Sequence, residues 1–73
     1  MTLNKLKKGE SAVIIEINAS PELKNRFNSF GLVKGAKVLS KESSLAKKTI
    51  QIQINKTCIS MRASEAELVE VAQ

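Results

Sequence analysis

The sequence contains no histidine, aspartate, tyrosine or tryptophan, and it has one cysteine and one proline. A cysteine nucleophile needs a positioned base, usually a histidine, so no catalytic residue and no enzyme activity are expected. First-row metal ions prefer imidazole, thiolate or clustered carboxylate ligands. Glu65, Glu67 and Glu70 are therefore interpreted as a solvated acidic rim, and neither a metal site nor a cofactor is expected.

The single cysteine, Cys58, cannot form an internal disulfide. This excludes a small secreted protein held together by disulfides and favours the reducing cytoplasm. Because Cys58 falls within a predicted strand, it is expected to be a buried structural thiol. Residues 12–15 form the apolar run nearest the N-terminus, and they are too few for a signal peptide or a membrane span. The sequence thus predicts a cytoplasmic protein.

The chain has 73 residues, enough for one domain over residues 1–73. A domain this small buries only about 60% of the surface that its unfolded chain exposes, so its core must be dense. The net charge of +5 favours an acidic partner. Nucleic acid, an anionic membrane surface and an acidic protein patch all remain open.

Short apolar segments alternate with turn residues, which is typical of a compact, mostly β domain. Isoleucine alternates with glutamine over residues 49–55, the clearest predicted strand. In the first strand, Val13, Ile15 and Ile17 are predicted to form the apolar face. Further elements are strands over residues 36–42, 57–61 and 68–71, single helical turns over residues 2–7 and 64–67, and a polar connection over residues 43–48. Five such short strands are expected to curl into a small SH3-like or OB-like β-barrel.

One short α-helix, which plugs or flanks this barrel, is predicted between Ser20 and Gly31. Ser20 is a favoured N-cap, and Pro21 at the first helical position has no N–H to leave unpaired. Gly31 stands where a glycine commonly ends a helix. Gly35 is predicted to supply the positive φ of the next turn, and Gly9 a flexible or positive-φ position before the first strand.

The two phenylalanines bear on the choice of partner. Phe27 and Phe30 recur with Leu23 at helical spacing, so they are predicted to be core residues. Small barrels that bind nucleic acid typically expose aromatic stacking platforms beside a basic groove. With both phenylalanines assigned to the core, nucleic-acid binding is kept as an alternative function rather than the leading one.

Four segments, taken in order, carry a family resemblance. The first is residues 3–12, which lead through leucines and a glycine into the first strand, and the last is the closing strand at residues 68–71. Residues 23–38 are similar to the signature Arg-Leu-x-x-Leu-Gly-Leu-x-x-Gly, with phenylalanines replacing leucines. Residues 59–66 are similar to Ile-Ala-Leu-Arg-x-x-Glu-Ala. Together they resemble the FeoA family, small cytosolic proteins of bacterial ferrous-iron uptake. The turns at residues 43–48 and 55–56 depart from the family pattern.

The resemblance implies an SH3-like barrel of about five strands and a non-enzymatic accessory role toward a FeoB-type membrane transporter with a cytosolic GTPase domain. The protein would then lie in the cytoplasm or at the inner face of the membrane, held there by this partner. The same barrel occurs in iron-dependent repressors, so a detached repressor domain is a second alternative. Weak self-association and weak iron binding are left open.

Contacts with the partner are predicted at two places. Leu45, Lys47 and Lys48 combine an apolar side chain with basic ones in the polar connection, and an apolar residue in a basic loop can anchor a partner. Leu32 and Val33 lie beside the turn that follows the helix, where an exposed shoulder is expected.

Overall fold

The computed structural model describes residues 1–44 and 48–73, with the side chains of all of these except residues 42–44. The described elements are a 3₁₀ turn (Leu3–Lys5), β1 (Ser11–Ile17), α1 (Pro21–Ser29), β2 (Lys37–Ser44), β3 (Thr49–Ile54), β4 (Thr57–Arg62), α2 (Ala63–Ala66) and β5 (Val69–Ala72). The predicted mostly β fold with one short helix is confirmed, and the predicted strand bounds agree with these within two residues. None of the described helices reaches the length and hydropathy that a membrane-spanning helix requires.

The described strands form a single antiparallel sheet in the order β4-β3-β2-β1-β5. Bulges interrupt the pairing of β1 with β5 and of β2 with β3. A bulge bends its strand and increases the local twist, which helps so small a sheet to curl around its own apolar face. The 3₁₀ turn contacts β5 and α2, and α2 contacts β4, so these two short helical elements span the opening between the edge strands.

One apolar cluster occupies the inside of the curled sheet. In β3, the isoleucines predicted by alternation all point into it, and the intervening glutamines face outward. The cluster consists of Leu3, Leu6, Ala12, Ile14, Ile17, Phe27, Leu32, Val38, Ile50, Ile52, Ile54, Met61, Ala66, Val69 and Val71. Every described strand contributes to this core, so the fold depends on all of them together.

The apolar face predicted for β1 was wrong. Ala12 and Ile14 point into the core, whereas Val13 and Ile15 are 41% and 44% exposed. The bulge lies between Ile14 and Glu16, and it shifts the alternation so that Ile17 points inward again. A shift of one residue moves a strand's side chains to the opposite face of the sheet.

Helix α1 begins as predicted, with Ser20 Oγ accepting a hydrogen bond from the N–H of Leu23 at 3.3 Å. It ends in a Schellman motif, in which the N–H of Leu32 donates to Phe27 O and the N–H of Gly31 donates to Asn28 O, both at 3.0 Å. Gly31 has a φ of 89°, the left-handed region that this motif requires of the residue after the C-cap.

This helix end corrects two predictions. Phe27 is buried as expected, but Phe30 is 44% exposed, because α1 stops at Ser29 and Phe30 is already its C-cap. Leu32, which was expected on an exposed shoulder, is completely buried. A Schellman motif commonly packs the residue in the position of Leu32 against the one in the position of Phe27, which explains this burial.

The prediction of a buried Cys58 was also wrong. Cys58 is exposed, because β4 is an edge strand and only its other face, with Met61, points into the core. The remaining two glycines, Gly9 and Gly35, have φ values of 87° and 92°, in the region where glycine is favoured.

Candidate interaction surface

Of the predicted partner-binding residues, the structure describes Leu32, Val33 and Lys48, and these differ in exposure. Leu32 is in the core, whereas Val33 is 40% exposed beside β1. Lys48 is exposed, and its carbonyl accepts a hydrogen bond from the N–H of Ala63 at the start of α2. Leu45 and Lys47 lie outside the described residues, so their part in an interface stays a prediction.

Three of the five exposed large apolar side chains in the described part of the chain, Val13, Ile15 and Val33, lie instead around the middle of β1. The turn after α1 is hydrogen-bonded to this strand, since the N–H of Ile14 donates to Ala36 O at 2.9 Å and the N–H of Gly35 donates to Ile14 O at 2.7 Å. With Ile14 pointing inward, Val13 and Ile15 face outward beside this turn. We call Val13, Ile15 and Val33 the β1 apolar surface.

The bulge makes Ile15 part of this surface. Ile15 falls between the pairs that β1 forms with β5 at Ile14 and at Glu16, and therefore has no directly opposed residue on β5. Bulges re-aim a side chain, and here one turns a large aliphatic side chain toward solvent. The turn residue Val33 stays close by, because its carbonyl accepts from the N–H of Ala36 next to Ile14.

Charged groups of both signs surround the β1 apolar surface. On the β2 side, Lys37 is paired directly with Val13, and Lys34 is exposed in the turn. On the β5 side, Glu16 is paired with Glu70, whose carboxylate lies 3.5 Å from the N-terminal ammonium. A partner for this surface would therefore meet an apolar centre between a basic and an acidic flank.

A shallow open depression of about 340 Å³ adjoins this surface on the outer face of the sheet, lined by Ser11, Lys37, Val38, Leu39, Gln53 and Asn55. Its residues come from β1, β2, β3 and the turn after β3, in register across the pairs Ser11–Leu39 and Leu39–Gln53. Lys37 supplies the one ionisable side chain in the lining.

The described residues contain no group of three or more carboxylate, cysteine or histidine side chains that could hold a metal ion. Within the predicted acidic rim, Glu65 is engaged in the structure: Oε2 lies 2.5 Å from the Arg26 guanidinium, and Oε1 accepts from the N–H of Arg62 at 3.0 Å. This carboxylate links α1 to α2 rather than facing solvent freely.

The sequence contains a signal for the β1 apolar surface that side-chain alternation alone does not reveal. Residues 12–15 are all apolar, so both faces of this segment are apolar whichever one is buried. In an antiparallel sheet with one solvated face, such a run predicts exposed apolar side chains. The bulge that selects the exposed set leaves no mark in the sequence.

Comparisons with known proteins identify the family of this chain. The family model for the FeoA domain matches residues 1–73. A Campylobacter jejuni protein named Fe(2+) transport protein A is 44% identical over 71 residues, which cover 97% of this chain and 96% of that protein. The solution structure of FeoA from Chlorobium tepidum matches with a TM-score of 0.90 at 32% identity, covering 97% of this chain and 68% of that one.

A second solved structure supports the description of the fold. The FeoA of Stenotrophomonas maltophilia, described as a prokaryotic SH3 domain protein complexed with zinc, matches with a TM-score of 0.85 at 29% identity, covering 99% of this chain and 89% of that one. The curled five-strand sheet is thus SH3-like, as predicted. The match of the family model over the whole length, together with these relatives, shows that the chain belongs to the FeoA family.

Proposed function

We propose that this chain is a non-enzymatic accessory protein of ferrous-iron uptake that binds and modulates the cytoplasmic GTPase part of a FeoB-type membrane transporter. The main support is its membership of the FeoA family over the whole chain, with a curated relative named for Fe(2+) transport. The protein acts in the cytoplasm, at the inner face of the membrane when it is bound to this partner.

The β1 apolar surface is the part of the proposed interface with the clearest structural support. Single exposed aliphatic side chains are ordinary, but Val13 and Ile15 are exposed together beside Val33, next to a depression on the same sheet. Covering apolar area releases roughly 25 cal/mol per Å², so a partner that covers these side chains gains affinity in proportion to their exposed area.

The test is retention of the FeoB-type transporter from detergent-solubilised membranes of the source cell by the immobilised chain. The assay is run without nucleotide, with GDP and with a non-hydrolysable GTP analogue. We expect retention in at least one nucleotide state. Failure to retain the transporter in all three would overturn the proposed function.

A double variant tests the surface itself. Val13→Thr with Ile15→Thr keeps β-branched side chains and removes apolar area, so the fold should persist while retention falls by about tenfold or more. Gln51→Thr, at an exposed position of β3, is the matched control and should bind like the unaltered chain. If the double variant binds equally well, the accessory function stands and the β1 apolar surface is the wrong site.

The polar connection over residues 43–48, which contains Leu45, Lys47 and Lys48, is the second proposed part of the interface. Leu45→Asp and Lys48→Glu are each expected to weaken retention, the first by removing an apolar anchor and the second by reversing a charge at an exposed position. Unchanged retention of both variants would remove this connection from the interface.

Nucleic-acid binding has weaker support. The sequence has two aromatic residues, and the burial of Phe27 leaves Phe30 as the one exposed stacking group. Non-specific binding to single strands generally combines several such groups with a basic groove. An affinity for oligonucleotides whose logarithm falls steeply with the logarithm of salt concentration would support this function instead.

A further inference from the structure

The two edges of the sheet differ in whether another backbone segment pairs with them. The outer edge of β5 is covered by the N-terminal residues: the N–H of Val71 donates to Met1 O at 2.7 Å, and Thr2 forms a β-bridge with Glu70. At the other edge, no described segment forms a backbone ladder or bridge with the outer side of β4 (Thr57–Arg62), although α2 contacts this strand. An uncovered strand presents a row of unpaired backbone groups to any chain that can pair with it.

The register of the β3–β4 hairpin identifies the groups that point outward. A two-residue turn joins Ile54 to its partner Thr57, so the N–H of Thr57 points toward β3. In an antiparallel pair this direction alternates, which turns the backbone groups of Cys58, Ser60 and Arg62 away from β3.

Two hydrogen bonds support this assignment. The N–H of Ala63 points toward the β3 side and donates to Lys48 O at 2.8 Å. The N–H of Arg62 points away and donates instead to Glu65 Oε1 at 3.0 Å. The N–H and C=O groups of Cys58 and Ser60 therefore face solvent, and both residues are exposed.

The usual devices that protect an edge strand are missing from the middle of β4. Proteins blunt edges with prolines, lysines or bulges. Residues 57–61 contain neither proline nor charge, and all six residues of β4 pair with β3 without a register shift. This edge is thus regular enough to accept another strand.

We propose that β4 binds an extended acidic segment of a partner protein by β-strand addition. Pairing in antiparallel orientation at Cys58 and Ser60 would form four backbone hydrogen bonds. The half-buried side chain of Ile59, on the core side of the edge, would contact an apolar side chain of the added strand. This mode takes affinity from the main chain and specificity from alternate side chains.

Charge at both ends of β4 selects an acidic occupant. Lys56 is exposed in the turn before the strand, and Arg62 and Lys48 are exposed at its other end, where the charge of the Glu65 carboxylate is offset by its ion pair with Arg26. A second copy of this chain, paired antiparallel about Ile59, would place its own Lys56 directly opposite Arg62. Like charges in directly opposed positions destabilise a pair of strands, and each copy carries a net charge of +5.

The test uses the acetylated and amidated peptide Glu-Thr-Thr-Val-Thr-Thr-Glu, in which valine faces Ile59 and the two glutamates face Lys56 and Arg62. Amide hydrogen exchange of the ¹⁵N-labelled chain is followed by NMR with this peptide and with a matched peptide carrying lysine in place of both glutamates. We expect exchange at Cys58 and Ser60 to slow by about tenfold at a peptide concentration ten times its Kd. Exchange at Ile59 and Met61, which are paired with β3, should not change.

Three outcomes would overturn the proposal. The first is no protection at Cys58 and Ser60 with the glutamate peptide at concentrations up to about 1 mM. The second is equal protection by the lysine peptide. The third is protection that rises with protein concentration in the absence of peptide, which would assign the edge to a second copy.

A pair of variants tests the backbone contact. Ser60→Pro removes an N–H that points away from β3 and so costs no bond within the sheet, whereas Ser60→Ala keeps that N–H. We expect the proline variant to lose peptide binding and the alanine variant to keep it, with both folds checked by circular dichroism. Equal binding would contradict strand addition, and if the proline variant unfolds, the exchange measurement on the unaltered chain still decides. Because no transporter is present, the result is independent of the proposed accessory function.

Discussion

The guanidinium of Arg26 lies 2.5 Å from Oε2 of Glu65, joining α1 to α2 across 39 residues of sequence. The other oxygen of the same carboxylate accepts from the N–H of Arg62 and caps the start of α2. The Arg26 side chain is 57% exposed and that of Glu65 is 18% exposed, so water screens the pair from one side. The Glu65 carboxylate therefore connects α1 and α2, two short helices that no strand pairing joins directly.

Replacing the two partners should have unequal effects. Arg26→Ala should cost roughly 0.2–1 kcal/mol, the range for an exposed ion pair. Glu65→Ala should cost about 1 kcal/mol more, because it also leaves the N–H of Arg62 without its acceptor. Urea denaturation measures both, with Glu67→Ala at the exposed neighbouring position as the control. Equal losses for Arg26→Ala and Glu65→Ala would show that the cap contributes nothing.

The two phenylalanines should differ sharply in their contribution to stability. Phe27 is 2% exposed, and Phe27→Ala should cost about 3–5 kcal/mol through lost burial and a cavity. Phe30→Ala, at the exposed C-cap, should stay within about 0.5 kcal/mol of the unaltered chain. Because a small domain has little stability to lose, Phe27→Leu serves as a milder second variant. A large loss for Phe30→Ala would place its side chain in the core after all.

Alanine at either Gly31 or Gly35 should destabilise the fold for the same conformational reason. A Cβ on Gly31 would lie 3.6 Å from Cγ2 of Ile54, an ordinary contact, and one on Gly35 would meet nothing within 4 Å. Space is therefore available at both, but their positive φ values should cost each alanine variant about 1–2 kcal/mol. Asparagine tolerates this region better and should cost less at either position. Thermal unfolding of the four variants tests this, and a cost-free Gly35→Ala would contradict it.

The loss of folding stability at acidic pH should include a contribution from Glu10. A hydrogen bond from the N–H of Lys7 at 2.7 Å, and then one from the Gln73 side chain, lower the pKa of Glu10. Since the folded pKa is below the unfolded value of about 4.3, this stability is present above that pH and is lost as pH falls through the folded pKa. Water screens this carboxyl group, so the effect on stability is small.

Two measurements check the Glu10 prediction. The pKa of Glu10, from carboxyl ¹³C shifts, should lie below that of an unfolded control peptide. Glu10→Gln should flatten the corresponding part of the pH dependence of the urea midpoint. A Glu10 pKa at or above the peptide value would refute the hydrogen bond from Lys7 in solution.

Local signals predicted the elements of this fold well, because each depends on neighbouring residues. Ser20 and Pro21 predicted the start of α1, and the alternation of residues 49–55 predicted both β3 and its buried face. The face of β1 was wrong because residues 12–15 are apolar on both sides, so alternation could not distinguish them. Pairing with two neighbouring strands, and the bulge after Ile14, made that choice.

The sequence by itself determined the mostly β class, the single short helix, the order of the strands along the chain and the positions where glycine is needed. These follow from side-chain periodicity, capping and backbone conformation, which act over a few residues. Tertiary structure alone decided that Leu32 is buried while Val13, Ile15, Phe30 and Cys58 face solvent. Exposure depends on which strands are neighbours and which strand is left at the edge, and that arrangement exists only once the sheet has assembled around one core.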